Sequence, residues 1–164
     1  MNPPGDGSIA VTDREGAVDA TVALAAGARR RIRILSRSLD PGVYDDRRVM
    51  EALRSFATST TDAEVRLLVL DAAAVQRAHA PLLGLAQRLP SVFQFRELSD
   101  PVDRARADAF LATDNGGCYH REFGHRFDGE ALLSGAGRAR QLCEAFDPVW
   151  ERSRPCSELR ALGL

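Results

Sequence analysis

Residues 107–117 read ADAFLATDNGG, and their fold can be worked out from the turn. Asp108 to Thr113 has the length and apolar content of a strand. Asp114, Asn115 and Gly116 then bring in residues that favour turns and left-handed backbone. Cys118 to Phe123 (CYHREF) follows at once, so the stretch predicts an antiparallel hairpin with Asn115-Gly116 as a two-residue loop. In that register Asp114 stands opposite Gly117, Leu111 opposite His120 and Ala109 opposite Glu122. Residues directly opposite share a face, which places His120 and Glu122 beside Ala107 and Ala109.

Upstream the pattern alternates between strand and helix. Arg31–Ser36 (RIRILS) has a period of two, and Glu64–Asp71 (EVRLLVLD) is apolar enough at its centre to be buried on both faces. Val92–Leu98 (VFQFREL) is a further strand. Asp45–Thr58 reads as a helix with Val49, Leu53 and Phe56 on one stripe and an aspartate as its cap. Ala73–Leu89 reads as a helix broken at Pro81, with His79 as a solvated or capping residue just before the break. Ala17–Ala28 predicts a short helix ahead of all of these. Downstream come a weaker strand within Arg126–Leu133 and a last helix, Arg138–Ser153, bent near Pro148. The Phe93/Phe95 alternation and the Phe146/Val149/Trp150 stripe are core faces. The order β-α-β-α-β-β-β-β-α implies an α/β fold, a mixed β-sheet sandwiched by helices, parallel early and antiparallel late. Residues 1–14, rich in Pro, Gly and Asp, read as a mobile N-terminal segment, and 15–164 as a single domain.

The composition narrows the chemistry. In 164 residues all 22 basic side chains are arginine, so a Schiff-base lysine, a phosphate-loop lysine and a lysine general base are excluded. The net charge of −1 offers no general attraction to nucleic acid or anionic membrane. No stretch has the make-up of a signal peptide or a membrane span. Cys118, Cys143 and Cys156 are odd in number and irregularly spaced, which fits reduced thiols in the cytoplasm.

From Arg31 onward the layout resembles one half of the phospholipase D (PLD) superfamily, whose His-x-Lys-x-x-x-x-Asp motif lies on a strand after two β-α units and another strand. Ala107-Asp108-Ala109-Phe110-Leu111-Ala112-Thr113-Asp114 has the matching place and length. Leu98-Ser99-Asp100 before it and Phe146-Asp147-Pro148-Val149-Trp150-Glu151-Arg152-Ser153 at the end fit as well. Leu39-Asp40-Pro41-Gly42-Val43-Tyr44-Asp45 and the Trp150–Ser153 ending further resemble uncharacterised bacterial PLD-like domains, some of them fused to acetyltransferases. In active members the resemblance implies a histidine that attacks phosphorus, a lysine that neutralises phosphate oxygens and an aspartate that fixes nearby geometry. Here the first two positions hold Ala107 and Ala109, and only Asp114 survives, which also suits a turn residue. The implied protein is non-catalytic, with an interaction or regulatory role. Family halves pair about a two-fold axis, so the expectation is a homodimer with Ala107, Ala109 and strand 118–122 near that axis. The alternative is a monomer that covers this face with its own helix 17–28. An acetyltransferase is a second candidate partner.

Other residues carry competing readings. His120 beside Glu122 has the chemistry of a general base, so relocated catalysis there is the enzyme alternative. Cys118, His120 and His125, with Cys143 or an acid as a fourth ligand, match no metal-binding spacing, and neither a metal nor a cofactor is implied. Arg29, Arg30, Arg31 and Arg33 offer an anion-binding run for phosphate or nucleic acid. The acidic residues dispersed among the arginines, and the absence of exposed aromatics between them, argue against nucleic acid.

Overall fold

The structure, a computed structural model, describes residues 8–78, 80–135 and 137–159, so His79 lies outside the described residues. Its first element is a strand, β1 (Ser8–Val11), within the segment that the sequence reading left mobile. Pairing with a distant strand, not local pattern, orders these four residues. Helix α1 (Arg14–Gly27) begins ahead of the expected Ala17 because Asp13 caps it, its carboxylate accepting the Gly16 N–H at 2.8 Å.

Strands β2 (Arg31–Leu35) and β3 (Glu64–Val69) run parallel, connected through α2 (Arg47–Ser59), which Asp46 caps. The expected third helix is two, α3 (Ala72–Arg77) and α4 (Pro81–Arg88). Pro81 takes the first turn of α4, where a missing N–H costs no hydrogen bond. Strand β4 (Phe93–Glu97) then adds parallel to β3. A single helical turn, α5 (Pro101–Arg104), precedes β5 (Ala109–Thr113), which returns antiparallel to β2. Strands β6 (Cys118–Arg121) and β7 (Gly129–Leu132) follow, and β7 pairs with β1. Helix α6 (Gly137–Glu151) runs through Pro148, and the two-residue β8 (Arg154–Pro155) closes the outer edge of β4. Among the described residues the sheet is mixed and eight-stranded, in the order β1-β7-β6-β5-β2-β3-β4-β8.

Period-two alternation splits the apolar residues between two layers. Ile32, Ile34, Leu67, Leu111 and Tyr119 join Val18, Leu24 and Leu53 of the helices on one face. Leu35, Leu68, Phe110 and Cys118 meet Phe146 and Trp150 of α6 on the other. Each fully buried Leu, Ile or Phe contributes roughly 1.5–3 kcal/mol. Arginine also serves as packing: the guanidinium groups of Arg66 and Arg96 lie 5.1 and 4.7 Å from the centre of the Trp150 ring. No helix among the described residues is long and apolar enough to cross a membrane.

Candidate functional site

The β5–β6 hairpin closes differently from its sequence expectation. The Thr113 N–H donates to the Gly117 carbonyl at 2.8 Å, so the loop is the triplet Asp114-Asn115-Gly116, with Gly116 at φ +90°. Ala112 then stands opposite Cys118, Leu111 opposite Tyr119, Phe110 opposite His120 and Ala109 opposite Arg121. A slip of one residue turns every β6 side chain to the other face. The expected grouping of His120 and Glu122 with Ala107 and Ala109 is therefore incorrect. The residue facing Ala109 is Arg121.

Asp114 explains the slip. Its two carboxylate oxygens accept the backbone N–H groups of Arg29 and Arg30, each at 2.9 Å, and its own N–H donates to the Arg31 carbonyl. The residue is bound to the start of β2 and does not pair with Gly117. Asp114 thus does structural work, tying the hairpin turn to the start of β2. Hydrogen bonds to a charged acceptor are worth about 1.5–3 kcal/mol when buried, and these are exposed, so Asp114→Ala should cost about 1–2 kcal/mol. The Asn variant, keeping one acceptor, should lose about half of that. Urea midpoints of the two variants check this, and an unchanged midpoint for Ala would contradict it.

The face beside Ala109 is covered from within the chain. Ala107 is exposed, whereas Ala109 is completely buried. The backbone of Gly124 lies across both: its N–H donates to the Ala107 carbonyl at 2.7 Å, and a Cβ at 124 would sit 3.2 Å from that of Ala109. Beside them the buried Arg121 guanidinium pairs with Asp40, whose Oδ2 also accepts the Ser36 hydroxyl at 2.8 Å. Its Nη1 donates to the Gly124 and Arg126 carbonyls at 3.1 and 3.3 Å. Burial disfavours the Arg121 charge, but Asp40 outweighs this and holds its pKa above the ordinary value. The loop that delivers Asp40 bends through left-handed backbone at Leu39 (φ 56°) and Gly42 (φ 92°). Sequence reasoning missed both members of this pair. The signal was the Leu39–Asp45 segment, noticed only as a resemblance.

Tyr44 and Tyr119 enclose the pair. Burial raises both hydroxyls, Tyr119 to about 12, and it also pushes the Cys156 thiol up to about 12 from its ordinary 9.0. A raised pKa in the fold means that the unfolded chain loses its proton first as pH climbs. This contribution to stability is complete below pH 9 and is lost on the way to pH 12. Denaturant midpoints measured across that window should fall, and a flat profile would contradict the burial of these groups.

His120 lies on the α6 side of the sheet. Its Nε2 is 3.4 Å from Asp108 Oδ2 and its Nδ1 is 3.4 Å from Arg138 Nη2. Burial raises the Asp108 carboxyl, but hydrogen bonds from His120 and a two-pronged contact from Arg106 (2.8 and 2.9 Å) outweigh it and hold the group well below the usual carboxylate range. Glu122 falls past the end of β6 and is exposed; the acids beside His120 are Asp108 and, directly opposite on β7, Glu130. Each ring nitrogen thus has a charged neighbour. Cys118 shares a cavity of about 310 Å³ with His120, Glu130, Leu132 and Arg138. Among the described residues no group of three or more His, Cys, Asp or Glu side chains is arranged to hold a metal.

The arginine run divides. Arg33 is buried under α6 and bound by Asp147 at 2.8 Å, which removes it from an anion-binding surface. Arg29, Arg30 and Arg31 are exposed and make no ion pair among the described residues. Helix α1 packs on the β5–β6 hairpin. Val18 and Leu24 of α1 share a core with Leu111 of β5 and Tyr119 of β6, and Ala109 is enclosed without a second chain.

A family model described as a domain of unknown function, DUF7931, matches residues 13–162. No curated protein matches the sequence. Among solved structures, NucT from Helicobacter pylori superposes with a TM-score of 0.62 and 11% identity, over 90% of this chain and 96% of that one. TrmBL2, an archaeal chromatin protein described as showing a novel mode of DNA binding, gives 0.63 and 11%, over 94% of this chain and 56% of its own. Phosphatidylserine synthase from Haemophilus influenzae Rd KW20 gives 0.60 and 12%, over 100% and 41%. The chain thus spans little more than half of the chromatin protein and less than half of the synthase. At such identities the likeness is one of fold, and that fold is PLD-like.

Proposed function

Since the chain belongs to the DUF7931 family and has the PLD-like fold, we propose that it is a non-catalytic PLD-like domain with an interaction or regulatory role. One observation carries this reading: the seat beside Ala109, where the resemblance places the lysine, is closed by Gly124 and by the buried Arg121–Asp40 pair. The nucleophile of the family motif has no counterpart at the exposed Ala107, and the space beside Ala109 is taken up by Gly124 and Arg121. Loss of a nucleophile that works as part of a unit removes most of the chemistry. The test is turnover of bis(p-nitrophenyl) phosphate and of single-stranded and duplex DNA by the purified chain. The expected result is none above buffer. Turnover abolished by His120→Ala would overturn the reading in favour of relocated chemistry at His120.

The proposed partners are a second copy of the chain or an acetyltransferase domain, meeting a surface other than the filled face of Ala109. Light scattering after size exclusion tests the homodimer, and one chain's mass at all concentrations would remove it. A second reading, phosphate or nucleic-acid binding, draws on Arg29, Arg30 and Arg31, exposed and without an ion pair among the described residues, and on the DNA-binding description of the chromatin protein of like fold. It requires oligonucleotide binding that weakens steeply with salt. Absence of binding at low salt would end it.

A further inference from the structure

Arg121 and Asp40 are an uneven match. A guanidinium presents Nε and Nη2 as a fork suited to two oxygens of one carboxylate or phosphate. Asp40 answers with a single oxygen, Oδ2, on Nη2, and shares that oxygen with the Ser36 hydroxyl. The Arg121 Nε is buried with no hydrogen-bond partner. A buried donor left unsatisfied is costly, so half of this fork is unused where its use would stabilise most. The fork also stands on β6 directly opposite Ala109, the position at which the resemblance places the family's lysine. The cation has in effect moved across one strand, and a side chain of the same protein lies against it.

We propose that Arg121 is an oxyanion seat occupied by the chain's own Asp40, and that with the Asp40 carboxylate gone it binds an anion presenting two oxygens, a carboxylate or a phosphate group. The proposal rests on the non-catalytic reading above, since it treats the closed seat as an occupied binding position. Asp40 prevails in the native chain because it is tethered beside the fork, so its local concentration far exceeds that of a free anion. Its one-oxygen grip is the incomplete part, and a two-pronged anion would satisfy both Nε and Nη2.

The experiment uses the full chain with Asp40→Ala, and measures the thermal midpoint in formate, inorganic phosphate or chloride at matched ionic strength. A ligand at roughly ten times its dissociation constant should raise the midpoint by about 3–5 °C in a domain of this size. The expected result is such a rise with formate or phosphate, whichever fits the seat, with chloride inert, the native chain flat in all three, and Asp40→Ala/Arg121→Ala flat as well. A folded Asp40→Ala variant with no rise in either oxyanion overturns the proposal, as does an equal rise in the double variant. If Asp40→Ala does not fold in chloride, regain of native Trp150 fluorescence on refolding in formate or phosphate supports the seat, and failure to regain it in both overturns it. Phosphodiesterase turnover by the native chain would remove the non-catalytic reading and leave these midpoints unaffected. A flat anion response would remove the seat and leave that reading in place.

Discussion

Arg121→Ala is expected to lower the stability of the fold by about 3–5 kcal/mol, the range for removing one partner of a buried ion pair. The side chain is 4% exposed and its partner Asp40 9% exposed, so neither charge left alone recovers its hydration. The guanidinium also ties the Gly124 and Arg126 carbonyls, so the loss reaches the 122–127 segment as well as Asp40. At roughly 2–4 °C per kcal/mol, the thermal midpoint should drop by about 10 °C. Asp40→Ala should be comparably harmful. The double variant should cost clearly less than the sum, because each single change strands the charge that the other removes. Equilibrium denaturation of the three variants gives the coupling. Strict additivity would mean that the pair is not closed in solution.

Ala109→Lys, which restores the residue type the resemblance places there, should be more damaging still. Ala109 is fully buried with Gly124 across it and Arg121 opposite it. A lysine would overpack the site, at about 1–3 kcal/mol, and bury a second positive charge beside the first, at several kcal/mol more. The total of more than about 4 kcal/mol approaches the whole stability of an ordinary domain. The variant should therefore be unfolded or insoluble at ambient temperature. Ala107→His, at an exposed position, should stay within about 0.5 kcal/mol of the native chain and show no phosphodiesterase activity. Circular dichroism and urea midpoints separate the two. A native-like Ala109→Lys would show that the seat has room for a lysine.

The order of elements was legible because it rests on long periodic stretches. The apolar centre of Glu64–Val69, the stripe of Val49, Leu53 and Phe56, and the break at Pro81 each state their structure locally. Strands β1 and β8 were not legible, since four and two edge residues take their form from the strands they join. The hairpin register was misread because Asn115-Gly116 favours a two-residue loop, while Asp114 is held by Arg29 and Arg30 far away in sequence. That single slip moved the site. Arg121 carries no local signal of its role, since arginine at a strand end is usually exposed. Its burial depends on Asp40, 81 positions earlier, and no local pattern announces a pair so widely separated. Arg33 was misassigned in the same way, since its partner Asp147 lies on the last helix.

The closure of the seat is the claim on which the functional reading turns, and nuclear magnetic resonance tests it directly at Gly124. The Gly124 amide, hydrogen-bonded to the Ala107 carbonyl, should exchange slowly with solvent, and its Cα protons should show a strong Overhauser contact with the Ala109 methyl group. A Gly124 amide that exchanges as fast as an open chain, with no contact to Ala109, would mean that the 122–127 segment stands away from the motif strand and that the seat is open.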